Sequence, residues 1–136
     1  MSAFVDTNVL VYAADESSPA PRKTQVAREL LLQRDLHLSV QVLNEFTVNA
    51  RNPRKLDLSK AAEKEWIDRW LLFPVHPLGI EQFHGARRIH ERHGISHWDA
   101  LIVATAIDAG CDLVYSEDLQ NGRNYSGVQV VNPFLH

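Results

Sequence analysis

The sequence lacks most of the features that announce a simple function. Its single cysteine, Cys111, excludes an internal disulfide framework, and its place beside an apolar helix suggests a buried thiol. No apolar run approaches the roughly 20 residues of a membrane span. A net charge of -3 is not the strongly basic balance usual in nucleic-acid binders. If several acids belong to a metal site, however, the remaining bases are in slight excess, so a locally basic track stays open. There is no Gly-rich phosphate loop, no zinc-spaced Cys/His set and no G-x-S-x-G elbow. The seven histidines show no ligand spacing on one helix face. Repeats, low-complexity runs and linkers are missing too. The first strand candidate begins directly after Met1, without a basic n-region, apolar h-region or cleavage site, so the expected location is the cytoplasm.

What remains is 136 residues, 45% hydrophobic and 23% charged, the composition of one soluble globular domain over 1–136 with a sizeable core. The chain is organised around the stretch Gly94 to Asp118, GISHWDALIVATAIDAGCDLVYSED. From Trp98 to Ala109 it is apolar on nearly every side, which a globular protein tolerates only in a helix covered all round. Gly110 can take the left-handed conformation that ends such a helix, and Leu113-Val114-Tyr115 reads as a strand feeding a buried parallel sheet. Asp99 lies in the first helical turn and Asp118 just past the strand. Each has a plain structural reading: Asp99 complements the helix end behind an N-cap at Ser96, and Asp118 suits a turn in SEDLQNG.

Along the chain, Ala3-Phe4-Val5 is a strand followed at once by Asp6-Thr7-Asn8, either a cap or turn or a carboxylate at a strand's carboxyl end. Glu16 to Arg22 is a proline-bearing loop. Arg22 to about Arg34 has helical spacing at Val26, Ala27, Leu30 and Leu31. Leu36 to Val40 is a second strand, and Ser39 caps a helix through about Asn49 on which Glu45 flanks the apolar face between Gln41 and Asn49. Arg51, Arg54 and Lys55 surround a proline, as a solvated turn or a phosphate clamp. Ser59 caps a helix with a stripe through Trp66 and Trp70 that ends at Pro74. Phe73 to His76 is a weak strand, Ile80 to about His93 a helix, Asn121-Gly122 a turn and Val128 to Val131 a last strand. The alternation predicts a parallel sheet with helices on both faces.

In such a sheet Asp6 and Asp118 lie at one edge, and Glu45 and Asp99, early in helices that start from that edge, tend the same way. Converging carboxylates repel unless a cation sits among them. Mg²⁺ or Mn²⁺ prefers oxygen ligands and binds through carboxylates plus substrate phosphate. Two such ions can hold the attacking and leaving oxygens of an in-line phosphoryl displacement.

Together F-V-D-T-N-V-L, L-N-E-F, S-H-W-D-A-L-I-V-A-T-A and S-E-D-L resemble the PIN domain family, specifically its VapC toxins, over the whole chain in order and spacing. The resemblance implies a three-layer α/β/α sandwich around a five-stranded parallel sheet, often dimeric. It implies a metal-dependent ribonuclease leaving a 5'-phosphate and a 3'-hydroxyl, with Asp6, Glu45, Asp99 and Asp118 as the acidic quartet. Asn8 and Ser116 match its supporting polar positions, and Glu117 is placed to share or replace the fourth role. It also implies an antitoxin whose tail blocks the acidic groove, commonly with an arginine. Two other classes compete: a non-catalytic RNA- or protein-binding PIN module, and a receiver-type signalling domain. The second is disfavoured because Asp6 stands alone and no lysine lies beyond Lys64.

Overall fold

A computed structural model describes residues 1–135. The elements run β1 (Ala3–Val5), α1 (Thr7–Ala13), α2 (Arg22–Leu30), β2 (Leu36–Ser39), α3 (Val40–Arg51), α4 (Lys60–Trp70), β3 (Val75–His76), α5 (Ile80–His93), α6 (His97–Asp108), β4 (Leu113–Tyr115), β5 (Asn124–Tyr125) and β6 (Val128–Val131). The sheet order is β3-β2-β1-β4-β6-β5. The first five of these strands are parallel, as expected, but the sheet is mixed, because β5 pairs antiparallel with β6. Ser126 and Gly127 join that hairpin with φ of 54° and 102°, and two consecutive positive φ angles match the twist of the flanking strands.

Chain direction explains the layers. From β1 to β3 the strands step one way, so right-handed crossovers put α1 to α4 on one face; the return to β4 puts α5 and α6 on the other. In α6, every residue from Ala100 to Ala106 is buried, which satisfies its apolar pattern. Its partner α5 comes very close at Gly85, where an added Cβ would stand 3.0 Å from the Ala104 methyl. Gly110 ends α6 with φ +74°, as expected. Phe4, Val5, Leu10, Leu38, Phe46 and Val114 are wholly buried between the layers.

Several boundaries differ from expectation for local reasons. The apolar run Val9 to Tyr12 is helical, because Asp6 caps it at once by accepting from the Thr7 amide. Helix α2 stops at Leu30 rather than near Arg34, and the chain turns through Asp35 at φ 61° into β2. Val40 opens α3 instead of closing β2, since the Ser39 hydroxyl accepts from the Val42 amide at 3.3 Å. Helix α4 ends at Trp70, short of Pro74. Cys111 is buried, and burial pushes its thiol up to about 11, so it stays protonated and inert. No helix among the described residues is long and apolar enough to cross a membrane.

Candidate metal centre

The strand order reverses between β1 and β4, the place where an open α/β sheet parts its connections and leaves a crevice at the carboxyl ends of the strands. Asp6 follows β1 and Ser116, Glu117 and Asp118 follow β4; the Asp6 amide donates to the Tyr115 carbonyl at 3.0 Å and locks the two ends together. A cleft of about 830 Å³ opens there, and Asp6, Glu45, Asp99 and Asp118 all line it. The four expected acids therefore share one site.

Each acid is held differently. Asp6 is 4% exposed; its Oδ1 accepts from the Thr7 amide at 2.7 Å and its Oδ2 from the Ser116 hydroxyl at 2.7 Å. Burial pushes its carboxyl from the ordinary 3.8 up to about 7; the Ser116 and Thr7 donors oppose the rise, and the charges of Asp118 and Glu45 add to it. Glu45, on the second turn of α3, accepts the Thr7 hydroxyl at 2.6 Å and lies near Gln41 Nε2 at 3.5 Å. Burial, with the charges of Asp118 and Glu45, also raises the Asp99 carboxyl, although the Ser96 hydroxyl works against it. Ser96 is the N-cap of α6, its hydroxyl accepting from the Asp99 amide at 3.1 Å, and Asp99 also lies in the first turn, where an acid suits the helix end.

Asn8 and Ser116 tie the set together. The Asn8 amide Nδ2 reaches Asp118 Oδ2 at 3.2 Å and Asp6 Oδ2 at 3.4 Å, while its Oδ1 accepts from the Glu117 amide. The fully buried Ser116 hydroxyl donates to Asp6 and accepts from the amides of Asp118 and Leu119 at 3.1 and 3.3 Å. Ser116→Ala is expected to cost roughly 2 kcal/mol of stability, because two amides and a buried carboxylate lose their partner at once. Urea unfolding monitored by circular dichroism measures it, and an unchanged midpoint would contradict these contacts.

Glu117 also lines the cleft, but its carboxylate already has partners. It accepts from the Tyr12 hydroxyl at 2.6 Å and pairs with Lys23, so its carboxylate is committed beside the acidic set. The basic turn divides: Lys55 lines the cleft, Arg51 is paired with Glu63 through contacts of 2.8 and 3.1 Å, and Arg54 sits exposed in a turn closed by the Asn52 side chain.

These residues suit a hard divalent cation. The acids offer only oxygen, burial and then the neighbouring acids' charges raise Asp6 and Asp99, and Gln41 Oε1, buried in the cleft wall, has no hydrogen-bond partner among the described residues. Among the described residues no three Asp, Glu, His or Cys side chains form a ready-made cage; protein donors occupy the carboxylates instead.

The PIN domain family model matches residues 3–123. The chain belongs to the PIN domain family. Among curated proteins none matches the sequence. Solved structures share the PIN fold. VapC20 of Mycobacterium tuberculosis, a sarcin-ricin-loop-cleaving toxin, superposes with a TM-score of 0.68 at 20% identity over 86% of this chain and 90% of that one. A toxin-antitoxin complex from Klebsiella pneumoniae gives 0.74 at 18% identity over 98% of each chain. VapBC2 from Rickettsia felis, bound to a promoter DNA fragment, gives 0.65 at 19% identity over 96% and 97%.

Several side chains that arrange the cleft of this PIN domain carry no signal in the sequence. Thr7 orients Glu45, and Tyr12 with Lys23 holds Glu117 aside. Thr7 stood in plain view in the D-T-N run, but its partner is 38 positions away and no local pattern connects them.

Proposed function

We propose that this PIN domain is a divalent-metal-dependent endoribonuclease, the toxin of a toxin-antitoxin pair. The observation that carries the proposal is the convergence of Asp6, Glu45, Asp99 and Asp118, from four distant points of the sequence, on one cleft at the carboxyl edge of the sheet. The toxin identities of similarly folded proteins support it.

Asp6, Glu45, Asp99 and Asp118 would hold Mg²⁺ or Mn²⁺. Such an ion supplies positive charge beside the phosphodiester and makes water a competent nucleophile near neutral pH. The chain's own contribution is to fix the carboxylates. Ser116 and the Thr7 amide orient Asp6, the Thr7 hydroxyl orients Glu45, and Asn8 spans Asp6 and Asp118. Lys55 adds a phosphate contact on the cleft wall, and Arg54 and Arg51 extend it only if Arg51 exchanges Glu63 for RNA. The cognate antitoxin would cover the acidic cleft, and a homodimer in the cytoplasm is the working assembly.

The deciding experiment incubates single-stranded RNA with the protein and Mn²⁺, with and without EDTA, after calorimetric Mn²⁺ titration. Chelator-sensitive cleavage is expected. Metal binding without cleavage would leave a non-catalytic binding module.

Proton competition gives a second measurement. Burial pushes the Asp6 carboxyl up to about 7, and it must ionise to bind metal. Mn²⁺ affinity should therefore fall by about tenfold for each pH unit below 7 and level off above it. Calorimetry in buffers of different ionisation enthalpy should detect about one proton released near pH ~6. No release would place the titrating group elsewhere.

A further inference from the structure

Three tryptophans occupy very different places. Trp70 is buried edge-on to Phe46, and Trp66 stacks on Trp70 at 5.4 Å beneath the Arg69 guanidinium, so both belong to the packing of α4. Trp98 has no such role. It is 60% exposed although it opens the most thoroughly buried helix of the protein, and its one aromatic neighbour among the described residues is His97, T-shaped at 5.4 Å.

Its position points to a different role. Trp98 lines the same cleft as the four acids and immediately precedes Asp99 in the chain. The buried Gln41 donates to the Trp98 carbonyl at 3.2 Å and faces Glu45 with the same amide, so the backbone below the indole is tied to the acidic set. Phe83, 44% exposed, packs against His97 at 5.6 Å, and Leu78 also lines the cleft. The cleft thus combines carboxylates, a lysine at Lys55 and a free aromatic face.

We propose that Trp98 is a specificity-determining residue whose exposed indole stacks an unpaired base of the RNA next to the phosphate held at the acidic cleft. The inference rests on the nuclease reading and deepens it. A nucleotide carries a flat apolar base one sugar away from its phosphate, and unpaired RNA bases are read by stacking on aromatic side chains. A protein partner could also cover Trp98 with Ile80 and Phe83, but the indole lies on the wall of the acidic cleft, where a phosphate-bearing ligand must pass. The base also makes the site selective for single-stranded RNA, since a paired base cannot leave its stack without cost.

The test is a double-mutant cycle between side chain and base. Cut sites are first mapped by sequencing the 5' ends made by the parent protein. A set of oligoribonucleotides, each with one abasic residue near the cut, is then cleaved by the parent, Trp98→Ala and Trp98→Phe, with sedimentation of each protein in parallel. The parent should lose kcat/KM by roughly 5- to 150-fold when the base at one flanking position is removed. Trp98→Ala should show the same loss on the intact substrate and no further loss on the abasic one, while Trp98→Phe keeps most of the preference. If Trp98→Ala still discriminates against the abasic substrate as strongly as the parent, the stacking inference is overturned and the nuclease stands. A change in association state with an unchanged cycle overturns it as well, and assigns the indole to a protein contact. If the parent shows no Mn²⁺-dependent cleavage at all, the nuclease reading fails and takes this inference with it.

Discussion

Asp6→Asn is expected to lower Mn²⁺-dependent RNA cleavage by about a thousandfold or more and, in the same protein, to raise the stability of the metal-free fold above pH ~8. The loss follows from removing a carboxylate of the set proposed to hold the metal, whose charge stabilisation is worth several kcal/mol, at tenfold in rate for each ~1.4 kcal/mol. The gain follows from burial. An Asp6 carboxyl raised from 3.8 to about 7 is neutral in the folded chain where it is ionised in the unfolded one. The folded state therefore binds the extra proton between those values, and this contribution to stability is present at low pH and lost as pH rises through about 7. By linkage the penalty above that window reaches roughly 4 kcal/mol. Asparagine carries no charge to desolvate; its one oxygen serves the Thr7 amide, and its NH2 turns to the Ser116 hydroxyl, which can accept as well as donate. Chemical unfolding in EDTA at pH ~5 and ~8 measures the effect: the parent should lose stability between the two and the variant should lose less. Equal pH dependence in both proteins would show that Asp6 ionises normally.

Phe46→Ala is expected to remove about 3 to 5 kcal/mol of stability. The Phe46 ring is wholly buried and meets Trp70 edge-on at 5.6 Å, joining α3 to α4. Glu45 is its chain neighbour, so the contact that seats α3 also aims an acid at the cleft. A domain of ordinary size has only about 5 to 15 kcal/mol in hand, and this single truncation removes a large part of it. The urea midpoint should fall with little change in slope. A fall of less than about 1 kcal/mol would mean that α3 repacks without the ring.

Much of the fold was legible because α/β proteins write it locally. The largely apolar α6, its cap at Ser96 and its stop at Gly110 sit close together in the sequence, and the structure places them where they were expected. The bounds of α5 agree as well. The antiparallel β5 was not seen, because two residues carry no periodicity; the dipeptide Ser126-Gly127 between Tyr125 and Val128 was the available turn signal. For the candidate site, the direction of strand ends put Asp6 and Asp118 on one edge. The hydrogen bonds that set each acid's orientation cross up to 110 positions, and such contacts leave no spacing to read.

The sheet finishes at both margins in strands of two residues, β3 on one side and β5 on the other. A ladder that short offers another chain little unpaired backbone to extend, and Pro74 and Pro77 flank β3 so that it cannot lengthen without losing amide donors. Edge-to-edge polymerisation is thereby discouraged by geometry. Side-chain surfaces, rather than open backbone, are then left to govern what the protein associates with.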